Sequence, residues 1–180
     1  ATATISITVN DAPPSGVAYS GSPFTLTKGV AMTTATPSVS GGTVTSWSVS
    51  PSLPAGLSLD TSTGAISGTP TAITSVANYT VTATNGGGSN STVVSIVVND
   101  VAPSSITYTP SSLSLTKDVT MSAITPTSSG GAVTSWSISA TLPAGLSFDT
   151  STGAISGTPT AISSSTSYTV TASNTGGAIC

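Results

Sequence analysis

The sequence predicts an all-β protein made of two tandem β-sandwiches, and three observations carry that expectation. Val, Ile, Trp and Tyr alternate with Ser and Thr in short segments, the two-residue period of a strand with one buried side. Turn clusters bearing Gly, Pro and Asp interrupt these segments at short intervals, and no stretch shows helical apolar spacing with caps. The chain then repeats itself at an offset of 89 residues, which divides it into two parts, each long enough for a small sandwich core.

Taken in order, the elements are legible from their residues. In Ala3-Thr-Ile-Ser-Ile-Thr-Val9 the alternation is strict: Ala3, Ile5, Ile7 and Val9 point one way, Thr and Ser the other. An Asn-Asp-x-x-Pro joint follows, ending at Pro14, where the fixed φ of proline stiffens the connection. Gly41-Gly42 marks a turn, and Thr43–Ser50 places Trp47 and Val49 on one face. Asp60-Thr-Ser-Thr-Gly64 is a turn in which the Asp60 carboxylate can accept backbone N–H groups and Gly64 tolerates positive φ. Tyr79, Val81 and Ala83 share a face, and Gly86-Gly87-Gly88 turns the chain again. Trp47 and Tyr79, with Trp136 and Tyr168 in the second copy, are the expected structural core. About seven strands in under a hundred residues point to an immunoglobulin-like sandwich.

The repeat is close. Leu53–Ile73 recurs as Leu142–Ile162 with Leu59 replaced by Phe148, and roughly 50 of the 81 aligned positions from Asp11 onward are identical. Its phase is informative. Thr92–Asn99 reads as the last strand of the first sandwich, and its counterpart in the second would begin just after Cys180. The segment Ala3–Asn10 aligns with Thr92–Asn99 and has no sandwich of its own. The expected organisation is a donor-like strand over residues 1–10, a sandwich over 11–100 and a second, incomplete sandwich over 101–180. Two readings of the phase stay open. The chain is one window of a longer covalent array, or residues 1–10 of one subunit complete the second sandwich of its neighbour by β-strand addition. The second reading generates a head-to-tail filament, with Ala3, Ile5, Ile7 and Val9 as polymerisation strand.

The repeated run Leu-Pro-Ala-Gly-Leu-Ser-Leu-Asp-Thr-Ser-Thr-Gly-Ala-Ile-Ser-Gly-Thr-Pro-Thr resembles the signature of the "Putative Ig" repeats of bacterial surface proteins, related to cadherin-like modules. The resemblance covers both copies. It implies an extracellular adhesin, stalk or matrix protein and no catalytic residues. The Val-Asn-Asp-x-x-Pro joints also resemble the linkers of cadherin-like repeats, where acidic residues bind calcium. Here each joint has one Asp (Asp11, Asp100) and no Glu, short of the several carboxylates a calcium site wants, so no cofactor is expected.

Composition narrows the function. Only 4% of residues are charged, with two cations, Lys28 and Lys117, and no His or Glu. So few cations cannot neutralise phosphates, which argues against nucleic acid. No activated nucleophile, acid or base can be written from these residues, so no enzyme is expected. Asp60 and Asp149 read as turn residues. Lys28 and Lys117 read as solvated edge-strand lysines, an isopeptide crosslink being the alternative. No apolar run approaches a membrane span. The opening Ala-Thr-Ala-Thr has neither Met nor a signal-peptide pattern, which reads as a mature product or a segment of a longer precursor. Cys180, the one cysteine, suggests an inter-subunit thiol or an inert terminal residue. Asn78-Tyr-Thr80 and Asn90-Ser-Thr92 match the N-glycosylation pattern. The expected function is a structural subunit of an extracellular fibre or surface stalk, with itself as partner. The alternative is an adhesin module binding a carbohydrate or a host or neighbour-cell protein.

Overall fold

The computed structural model describes residues 2–180, and among these every regular element is a β-strand. The chain divides into two compact units between Asn99 and Asp100, one residue ahead of the boundary expected from the repeat.

The first unit contains β1 (Pro14–Tyr19), β2 (Phe24–Thr27), β3 (Pro37–Gly41), β4 (Ser46–Ser50), β5 (Leu57–Leu59), β6 (Ile66–Gly68), β7 (Thr74–Asn85) and β8 (Gly88–Asn99). Its main sheet has the order β2-β8-β7-β4, with β2 parallel to β8 and the other pairs antiparallel. β1 pairs with β3, and β5 with β6. Alternation along the strands sends Trp47, Tyr79, Val81, Ala83, Val94, Ile96 and Val98 inward, where they join Val17, Tyr19, Ala35 and Ile66 in one core. Val94, Ile96 and Val98 are fully buried. Each such side chain is worth about 1.5–3 kcal/mol of apolar burial.

The second unit contains β9 (Pro103–Thr107), β10 (Met121–Ile124), β11 (Thr127–Gly130), β12 (Ser135–Ile138), β13 (Leu146–Phe148), β14 (Ile155–Gly157), β15 (Val170–Asn174) and β16 (Gly177–Ile179). Its sheets are β9-β11, β10-β14-β13 and β12-β15-β16. Most strands repeat those of the first unit, but one region differs. β16 corresponds only to Gly88–Asn90 of β8, and β15 only to the last five residues of β7. The counterparts of β2, residues 113–116, and of early β7, residues 163–169, form no strand. The cause lies in the ladder. In the first unit β8 holds both flanks at once, Ile96 between Phe24 and Ala77, and Val98 between Leu26 and Thr74. Among the described residues no strand ladder reaches either flank in the second unit. Its core is correspondingly less covered: Tyr168, Val170 and Ile155 are half-buried where Tyr79, Val81 and Ile66 are buried.

Residues 2–13 form no strand. Ile5, Ile7 and Val9 are 80%, 82% and 90% exposed. Their alternation suits a strand, but a strand needs a neighbour's backbone to satisfy its N–H and C=O groups.

Ile96→Ala is expected to destabilise the first unit by about 2–5 kcal/mol. Ile7→Ala, at the aligned but exposed position, should change the stability of the dilute chain by less than about 0.5 kcal/mol. Denaturant unfolding of both variants checks the contrast.

Candidate strand-docking site

The candidate site is the less covered edge of the second unit. Ile106, Tyr108, Tyr168, Thr169, Val170 and Cys180 line a cleft of about 330 Å³ there. Elsewhere in the second unit Leu113 and Leu115 are 40% and 39% exposed, whereas Phe24 and Leu26, their counterparts, pack against the first core. The matching residues of the first unit face β8, whose Val94 lies opposite Tyr79. Ser22 Oγ also accepts the Ser95 N–H at 3.2 Å, and Ser111 supplies the same hydroxyl in the second unit. The edge therefore offers an apolar floor, and among the described residues no strand ladder includes residues 113–116 or 163–169, the setting of a strand acceptor.

Of the sequence-predicted residues, Trp47 and Trp136 are buried, as is Tyr79, while Tyr168 is half-buried in the cleft. Each indole is covered by the glycine of the repeated turn: a Cβ on Gly64 would stand 2.6 Å from the Trp47 ring, and one on Gly153 2.8 Å from Trp136. Both glycines also have φ of +74°, so any side chain there is excluded twice. The Tyr19 hydroxyl donates to the Gly64 carbonyl, and Tyr108 to that of Gly153 at 2.5 Å. Burial pushes the Tyr19 phenol up to about 12. A shallow cleft of about 320 Å³ is lined in part by Pro37, Gly42, Thr63 and Trp47, but Trp47 is only 5% exposed.

The turn is shaped by its aspartate. The Ser62 hydroxyl donates to Asp60 Oδ1 at 2.5 Å and the Ser62 and Thr63 N–H groups at 2.8 and 3.1 Å. These bonds hold the carboxyl at about 2, below its ordinary 3.8. Asp149 is likewise held at about 2 by the Ser151 hydroxyl and N–H, with Thr152 adding to them. Both aspartates thus organise turns.

Asp11 enters a clasp that the sequence reading missed, whereas the Asp100 carboxylate accepts the N–H of its neighbour Val101 at 2.9 Å. The buried Asn85 donates to Asp11 Oδ2 at 3.1 Å and to the Ala12 carbonyl at 2.7 Å, and accepts the Gly87 and Gly88 N–H groups. Asn174 does the same work on the Val101 and Ala132 carbonyls and the Gly176 N–H. The linker passes so close to the flanking turns that a Cβ on Gly42 would stand 1.9 Å from the Ala12 oxygen, and one on Gly87 2.0 Å from that of Asp11. The recurrence of Asn before the Gly-Gly turn, at one offset in both repeats, was the available signal. Among the described residues no three metal-ligating side chains cluster. Lys117 lies 3.4 Å from Asp118 on the exposed surface, Lys28 is exposed in the turn after β2, and Cys180 is a free, exposed thiol.

Two outcomes follow. Asn85→Ala should cost about 1–3 kcal/mol, because it leaves buried partners unsatisfied, and denaturant unfolding measures it. The pH profile follows from the shifts. Asp60 and Asp149 titrate lower folded than unfolded, so their contribution is whole above about pH 4 and lost as pH falls through about 2. Tyr19 titrates higher folded, so its contribution is whole below about pH 10 and lost towards 12. Thermal melting should therefore be level between about pH 5 and 9 and fall on both sides.

The "Putative Ig domain" family model matches residues 5–99 and 102–179. Among solved structures, Drosophila OTK extracellular domains 3–5 align with a TM-score of 0.52 at 16% identity, covering 91% of this chain. The chain spans 59% of that structure, and the likeness shows an Ig-like fold. The insect immune protein hemolin aligns with a TM-score of 0.47 at 16% identity over 99% of this chain and 47% of its own. Human protocadherin-24 EC1-2 aligns at 0.44 and 13%, over 94% and 89%. No curated protein sequence matches the chain. Among the described residues no helix is long and apolar enough to cross a membrane. The chain belongs to the "Putative Ig domain" family, as two tandem Ig-like domains.

Proposed function

We propose that the chain is a structural subunit of an extracellular fibre or surface stalk, joined head to tail by β-strand addition. One observation carries this. Ile5, Ile7 and Val9 are exposed, yet they align with Val94, Ile96 and Val98, which are fully buried in the first unit. An apolar face of that kind is soluble only while it is rare or covered. The edge of the second unit, with its cleft and the partly exposed Leu113 and Leu115, is the matching surface. The same surface accepts a strand of this sequence whether another copy or a longer tandem array provides it.

The composition suits a spacer outside the cell. Two Lys and no Arg give trypsin-like proteases few cleavage points, and a hydroxyl-rich, uncharged surface responds little to salt. The near-identical repeats suit spanning distance, as does the clasp that Asn85 and Asn174 form on each linker. Residues 2–10 contain no cysteine, so Cys180 cannot form a disulfide with the donated segment. A thiol lock would require two Cys180 residues to meet.

Analytical ultracentrifugation of the 180-residue chain tests the reading. It should show species larger than one copy whose share grows with concentration. Deleting residues 2–10 should leave a single copy. If the intact and truncated chains sediment alike, the reading is wrong.

A further inference from the structure

We infer that the groove takes residues 3–9 of a second copy in one direction and one register, parallel to residues 113–116 and antiparallel to 163–169; this rests on the assembly reading above. The first unit provides the template. Its β8 runs parallel to β2, with Phe24 beside Ile96 and Leu26 beside Val98, and antiparallel to β7, with Tyr79 opposite Val94 and Asn78 opposite Ser95. Carried over at the repeat offset, Ile5 lies opposite Tyr168, Ile7 between Leu113 and Thr166, and Val9 beside Leu115.

Side-chain chemistry allows this register and resists its neighbours. Within the segment, Ile5, Ile7 and Val9 meet the cleft while Thr4, Ser6 and Thr8 face outward beside Ser167 and Thr169. A slip of one residue would reverse the faces, burying three hydroxyls and exposing three aliphatic groups. A slip of two residues keeps the faces but moves Asp11 and Asn10 relative to the groove. Within the donor copy, Asn85 holds Asp11 and the Ala12 carbonyl to the donor's own unit. Asn10 is thus the single residue between the docked run and the clasp. The same spacing separates Val98 from Asp100 at the covalent joint, where the Asp100 N–H is held by Thr175 Oγ1 at 2.9 Å. The joint between copies thereby uses the same residues, at the same spacing, as the joint within the chain.

Cysteine pairing reads the register directly. With Cys180→Ser as background, one copy carries Ser6→Cys and the other carries Ser167→Cys, Thr166→Cys, Ser165→Cys or Thr169→Cys. Under mild oxidation Ser6→Cys should crosslink with Ser167→Cys at least tenfold more than with any other partner. Species larger than one copy with crosslinking strongest at another position would overturn the register and leave the assembly reading intact. Absence of every crosslink, together with single-copy sedimentation, would overturn both.

Discussion

The structure depends on one run of side chains, Val94, Ile96 and Val98, and on the backbone that carries them. This run fills the interior of the first unit while its two edges close ladders with β2 and with early β7. It contributes apolar burial and ordering of its neighbours together, because fixing a flank costs backbone entropy that only a partner's hydrogen bonds and contacts offset. The second unit shows the sheet without such a run. Residues 113–116 nearly match their counterparts, whereas 163–169 carry Ser165, Thr166 and Ser167 in place of Val76, Ala77 and Asn78, and neither segment forms a strand. Both the missing ladder and, at 163–169, the more polar sequence disfavour a strand there.

The repeated signature organises the same two clusters in each unit. Asp60 and Asp149 shape turns that lay a glycine flat against Trp47 or Trp136, and Tyr19 or Tyr108 fixes that glycine's carbonyl. At the opposite turns, Asn85 and Asn174 draw the linkers between glycines too close for any side chain. These clusters occur in both units, whether or not the β8-like run is present.

Much of this was legible in the sequence. Strict alternation at Trp47 and Val49 and at Tyr79, Val81 and Ala83 places them on faces that the structure turns inward. The repeat offset alone relates Ala3–Asn10 to Thr92–Asn99. The clasp was not legible, because Asn85 meets Asp11 and Ala12 across more than seventy residues and an Asn before glycines looks like an ordinary turn. The hydroxyl of Tyr19 was hidden for the same reason, its partner lying 45 residues away. Such contacts arise from topology, whereas alternation is written locally.

The account joins an exposed aliphatic run on one copy to an open sheet edge on another, with the two flanks of that edge as reporters. Amide hydrogen exchange at residues 113–116 and 163–169, followed as chain concentration rises, tests this most directly. The account predicts fast exchange in the dilute chain and marked protection of both flanks together as copies associate. Flanks that stay unprotected in the associated material, or that are already protected in single copies, would contradict it.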